Sequence, residues 1–155
     1  MSSVLYLYNK IRKYVLDGTI DFDTDTIKCM LVKSDYTFSA AHGVKADVCA
    51  SPSPEVEAVS SPDNGYTAGG KAVTGVTLTE ITSPPSYMLD MNDIEWTALT
   101  ATFKYAIFYA NVTRNGLTDP LIGCVLLDYE GGTSIIVNGV DYKLQISDDG
   151  FLVLG

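Results

Sequence analysis

The sequence has one histidine, His42, and one tryptophan, Trp96. Ser-His-Asp or Cys-His catalysis would have to run through His42. That residue sits in Ala40-Ala41-His42-Gly43, and the chain has no GxSxG motif. It reads as an incidental loop histidine, and the protein is expected not to be an enzyme. Cysteines are few and odd in number: Cys29, Cys49 and Cys124, with no CxxC spacing. Cys29 and Cys124 lie in apolar runs, so they read as small buried hydrophobes in a reducing compartment. A zinc site would have to join His42 to two cysteines from distant segments. No cofactor is expected.

Lys and Arg are scarce, ten against nineteen Asp and Glu, for a net charge of −9. Nucleic acid is disfavoured as a partner, because phosphate neutralisation needs clustered cations. The longest apolar run, Leu121 to Leu127, is far short of the ~20 residues of a membrane helix, so no membrane partner is expected. The N-terminal stretch mixes charges into its apolar residues and is expected not to be a targeting signal.

The chain does have enough apolar residues for a core. Of 155 residues, 46% are hydrophobic and 19% charged. That suits a single domain over 1–155 burying roughly 70% of its unfolded surface, without disulfides or a structural metal. Charge is uneven. Residues 1–33 hold five Lys/Arg and four Asp, whereas 34–155 hold five Lys/Arg and fifteen Asp/Glu.

Periodicity predicts a helix over 1–17, centred on Val4 to Asp17. Val4, Leu7, Tyr8, Ile11, Tyr14 and Val15 form one stripe about 120° wide. Ser2 or Ser3 can cap it, and Gly18 stands at its stop. Leu5 and Leu16 miss the stripe and suggest a second packed face. The period then becomes two over Thr26 to Val32, with Ile27, Cys29 and Leu31 on one side. Residues 34–72, rich in Ser, Pro and Gly, read as a long loop or excursion and as a segment that orders on assembly. Strands are expected at Val73 to Ile81, Ile94 to Ala98, Ala101 to Ala110 (Phe103, Tyr105, Ile107 and Tyr109 on one face) and Phe151 to Leu154. Leu121 to Asp128, apolar on both faces, fits a central strand. Asn138-Gly139 is the best hairpin signal, between Thr133 to Val137 and Val140 to Ile146. The fold expected is a mostly-β antiparallel sandwich or jelly roll of about eight strands with one N-terminal helix.

Three clusters were weighed for chemistry. Asp21, Asp23 and Asp25 alternate as cation ligands can, but Thr26 and Val32 stand where an EF-hand loop needs Gly and Glu. Gly65-Tyr66-Thr67-Ala68-Gly69-Gly70 lacks the Gly-Lys-Ser/Thr ending of a phosphate loop. Ten tyrosines suit a core or subunit contacts.

Three segments carry a resemblance. They are the helix running into Asp17-Gly18-Thr19-Ile20-Asp21-Phe22-Asp23-Thr24-Asp25-Thr26-Ile27-Lys28; Gly65 to Val73; and Ile94-Glu95-Trp96-Thr97 followed by Ala101 to Ile107. Asp119-Pro120-Leu121-Ile122-Gly123 and a final hairpin come after them. This order, over roughly residues 5–150, resembles small β-rich structural proteins of tailed bacteriophage virions. The resemblance implies a capsid decoration or cement protein on the outside of the shell, assembled in the host cytoplasm. It implies the major capsid protein or other virion proteins as partners, and homo-oligomers on the particle. It brings no catalytic residue. A tail, neck or head-fibre component is the alternative. So is a carbohydrate- or receptor-binding sandwich, for which Tyr36, Phe38, Tyr66 and Tyr87 are the loop aromatics. For contact with the shell or a sister subunit, the excursion and Leu5, Lys10, Lys13 and Leu16 are the candidates.

Overall fold

A computed structural model describes residues 2–154. The chain is mostly β, and every pairing between named strands is antiparallel. The main sheet has the order β1 (Val4–Leu7), β10 (Leu121–Leu126), β7 (Tyr105–Ala110), β2 (Ile27–Val32), β3 (Lys71–Ala72). Smaller sheets pair β6 (Ile94–Phe103) with β11 (Ile135–Leu144), and β12 (Leu152–Leu154) with β5 (Pro85–Asp90) and β4 (Thr77–Thr82). A short hairpin joins β8 (Thr113–Arg114) to β9 (Leu117–Thr118). The helices are α1 (Ile11–Leu16) and α2 (Lys45–Val48).

The main sheet is apolar on both faces, so both must be covered. Ile27, Cys29, Leu31, Ala106 and Phe108 point to one side, where they meet Trp96, Leu99 and Phe103 of β6, Val137 of β11 and Leu89 of β5. Met30, Val32, Ile107 and Tyr109 point to the other, against Tyr8, Tyr36 and Val48. Alternation along β2 and β7 produces this division directly. In β10 the register slips between Leu121 and Gly123. The extra residue puts Leu121 and Cys124 on one face and Ile122 and Val125 on the other. The expectation of a two-faced interior strand at Leu121 holds.

The N-terminal element is corrected. Val4–Leu7 is a strand on β10, and the helix begins only at Ile11. The stripe was half real: Tyr8, Ile11 and Tyr14 are buried. Val4 to Leu7, however, completes the sheet edge, where Gly123 lacks a side chain beneath Leu5 and Leu7. Val15 is exposed rather than core. Gly18, with φ +75°, does end the helix.

The final hairpin is corrected too. Asn138-Gly139 lies inside one ten-residue strand, and both its flanks pair with β6. The glycine takes the left-handed conformation that the signal implies (φ +69°), but as a bulge: Asn138 faces Thr100 and Val140 faces Leu99. The Gly139 N–H donates to Thr100 Oγ1 at 3.0 Å. β6 answers with its own irregularity at Ala98, φ +49°, whose N–H donates to Asp141 Oδ1 at 2.9 Å. β6 runs unbroken through Ala98 to Phe103, and the break falls at Lys104. Phe103 therefore faces the opposite side from Tyr105, Ile107 and Tyr109. Ser83 and Pro84 form the β4–β5 turn, and Thr82 pairs with Pro85. Among the described residues there are twelve strands, against an expectation of about eight, and several are only two residues long.

The 34–72 excursion is packed rather than open. It holds α2 and β3, and Tyr36, Val48, Val56 and Tyr66 are buried beneath it.

Two glycines separate overlap from backbone preference. A methyl on Gly70 (φ +82°) would overlap the Cys29 carbonyl, whereas Gly116 (φ +74°) has nothing within 4 Å. Gly70→Ala should cost about 3 kcal/mol and Gly116→Ala about 1 kcal/mol, measured by urea denaturation. Equal losses would mean that β2 and the glycine turn are not in contact.

Candidate functional site

Three polar clusters and one apolar cleft are the places where chemistry could reside. In the first cluster, the Tyr8 and Tyr36 hydroxyls are 3.0 Å apart, and Tyr36 Oη is 3.0 Å from His42 Nδ1. Burial pushes both phenols above their ordinary values. Protonated phenols are donors, not nucleophiles, and His42 ends the chain as their partner. Asp47 is spent on the start of α2, accepting the Gly43 and Val44 N–H groups at 2.7 and 3.0 Å.

The second cluster lies under the excursion. Glu55, with its side chain 13% exposed, accepts from Tyr66 Oη at 2.9 Å and from the Gly69 N–H. Tyr66 Oη accepts the Leu31 N–H at 3.1 Å, so one phenol ties Glu55 to β2. Tyr109 Oη donates to the Gly69 carbonyl, and Lys45 Nζ sits 5.1 Å from the Tyr109 ring centre and 4.0 Å from Glu55. Burial, then the nearby Glu55 charge, raises Tyr66. The glycine loop thus lends its backbone to Glu55 and Tyr109, and Lys71 continues into β3, not a helix.

Cys49 Sγ lies 4.0 Å from Glu55 Oε2, and burial pushes its thiol up, away from thiolate reactivity. Burial raises Cys124 to about 12. All three cysteines are free thiols.

The third cluster explains the aspartates. Arg114 grips Asp25 with both terminal nitrogens, at 2.8 and 2.9 Å, and donates to the Thr19 carbonyl at 3.0 Å. Asp25 Oδ2 also accepts the Asp21 N–H at 2.8 Å, and Asp21 Oδ1 accepts the Asp23 N–H at 3.0 Å. The Arg114 guanidinium thus takes both oxygens of Asp25, while the Asp21 carboxylate is engaged by the Asp23 N–H. Among the described residues, no three His, Cys, Asp or Glu side chains gather as a metal-binding group. The hydrogen bonds from Arg114 hold the Asp25 carboxyl below the usual range. Lys13, then Thr19, holds Asp17 at about 2.

The apolar cleft, of about 290 Å³, runs between α1 and the three-stranded sheet. Leu78, Leu89 and Leu152 line up across β4, β5 and β12, and Tyr87 and Leu154 form the next row. Val15 and Phe22 make the facing wall. Leu16, beside Val15, is 88% exposed.

The residues singled out from sequence separate. Leu16, Lys13 and Lys10 are on or next to α1, with Lys13 paired to Asp17 at 2.8 Å and Lys10 lying over Gly43. Leu5 is on β1, half-buried against the core, and shares no helix face with Leu16. Of the loop aromatics, Tyr36 and Tyr66 are buried, Phe38 stacks on Tyr6 and Tyr8, and Tyr87 is 57% exposed. The cleft went unseen because three of its walls meet only through strand register.

Arg114→Ala removes the partner that keeps Asp25 ionised. A carboxylate with a depressed folded value stabilises the fold above its unfolded value, ~3.9, and that gain is lost as pH falls through the folded value. Arg114→Ala should therefore melt lower than wild type at pH 7, with the gap narrowing as pH falls through the depressed folded value of Asp25 to the remainder left by the lost Thr19 carbonyl bond. A constant gap from pH 7 to pH 2 would show that the pair does not set Asp25 ionisation.

No protein-family model, no curated protein and no solved structure matches the chain.

Proposed function

We propose that the protein is a structural component of a tailed-bacteriophage virion, a decoration or cement protein that coats the outside of the capsid in many copies and is not an enzyme. The observation that carries this reading is apolar surface left uncovered on two different sheets of an acidic body. One is the cleft beside α1. The other is the outer side of β11, where Ile136, paired with exposed Thr102, is itself 77% exposed. Surfaces of this kind on a small protein mark contacts with other proteins. A coat component needs two such contacts, one to the shell lattice and one to a sister subunit. The polar side chains that could perform chemistry instead hold the fold together: Glu55, Tyr66 and Tyr109 fasten the excursion, and Asp25 and Arg114 fasten the turn after α1. The major capsid protein is the partner this reading implies. A net charge of −9 keeps the free subunit soluble before assembly.

Antibodies against the recombinant protein, applied to purified particles, should label the head surface. Quantitative mass spectrometry should give a copy number comparable with that of the shell protein. Ile136→Asp should lower occupancy of the particle without changing the melting temperature. Label confined to the tail at low copy number would replace the decoration reading with a tail component. Absence from particles would end the virion reading.

A further inference from the structure

The apolar cleft beside α1 has features that select its occupant. Leu16 follows Val15 of the cleft wall on α1, is not part of the lining, and is too exposed to be filling the cleft of its own chain. Charges of both signs adjoin the lining residues, with Asp21 and Asp23 flanking Phe22 and with Arg12 and Glu80 beside the two facing walls. Arg12 precedes Val15 and Leu16 by three and four residues, so it neighbours both on the helix surface. Glu80 shares the sheet face of Leu78 and stands opposite Tyr87. Both are exposed. A knob, a matching hollow, a cation on one wall and an anion on the other are what a two-fold contact requires, since each element must meet its complement on the same surface of the partner.

We infer that a second copy of this chain occupies the cleft. In this isologous dimer, Leu16 of each subunit enters the cleft of the other, and Arg12 of each faces Glu80 of the other. Charge supports the placement. Two bodies of net charge −9 repel, but residues 1–33 hold five Lys/Arg against four Asp. α1 belongs to that stretch and carries Arg12 and Lys13, so contact through α1 adds little repulsion. An apolar centre with a charged rim is also the usual anatomy of a protein interface.

The inference goes beyond the virion reading and does not depend on it, because its test is run on the isolated full chain in solution. Sedimentation velocity should show a dimer for wild type. Leu16→Asp should shift it to monomer with unchanged melting temperature, and Leu16→Ser, which adds no charge, should weaken it in the same direction. Arg12→Glu alone and Glu80→Arg alone should each weaken association about tenfold, while the double exchange Arg12→Glu/Glu80→Arg should restore it. A wild-type monomer at every soluble concentration would overturn the inference. So would a dimer indifferent to Leu16→Asp, or a double exchange no better than the single ones.

Discussion

The main sheet is apolar on both faces, and nearly everything else in the structure answers that constraint. Antiparallel sheets commonly leave one face to water. Here β2, β7 and β10 bury side chains on both sides, from Cys29 and Phe108 on one to Met30 and Ile107 on the other. The strands β6, β11, β5 and β12 cover the first face. The second is covered by Tyr8 and by Tyr36, Phe38 and Val48 of the irregular 34–72 excursion, whose Val56 and Tyr66 pack on the first face. Irregular backbone over a core carries polar groups that need partners. That requirement explains why Glu55, Tyr66, Tyr109, Tyr36 and His42 are where they are.

The same constraint explains which parts of the fold could be seen in the sequence. β2 and β10 were visible because a two-faced strand writes its burial into consecutive residues. The mostly-β antiparallel character followed from several such patterns. Misreadings occurred where a local signal had two structural uses. Tyr8, Ile11 and Tyr14 satisfy a helical period, but Val4 to Leu7 is claimed by β10, a partner more than a hundred residues away. Asn138-Gly139 supplies a left-handed glycine that can close a hairpin or make a bulge, and β6 decides for the bulge. The unbroken run of β6 into Phe103 could not be seen, because Ala98 hides the strand behind a positive φ.

The candidate sites follow the same division. Asp21, Asp23 and Asp25 were conspicuous as a cluster, yet their role depends on Arg114, which is remote in sequence and brought near by the β8–β9 hairpin. Tyrosine abundance points to core roles, which Tyr8, Tyr14, Tyr36, Tyr66 and Tyr109 fill, but not to the phenols that bridge an excursion to a strand. Leu16 stood out as a misfit on its helix, and it is exposed. The cleft beside it is assembled from β4, β5, β12 and the turn holding Phe22, and no spacing along the chain reports that convergence. Surfaces made by strand register therefore leave no signature in the spacing of residues along the chain.

Native-state hydrogen exchange tests most directly whether the excursion is a structural layer of the sheet. Val48 of α2 lies on the second face, where the Lys45 N–H bonds the Asp119 carbonyl and the Cys49 N–H bonds the Lys45 carbonyl. If the excursion seals the second face, these amides should exchange only through global unfolding, with the same free energy as Ile107 and Phe108 in β7. If they exchange by a low-energy local opening while β7 stays protected, the excursion is a loose covering and the second face of the sheet does not require it.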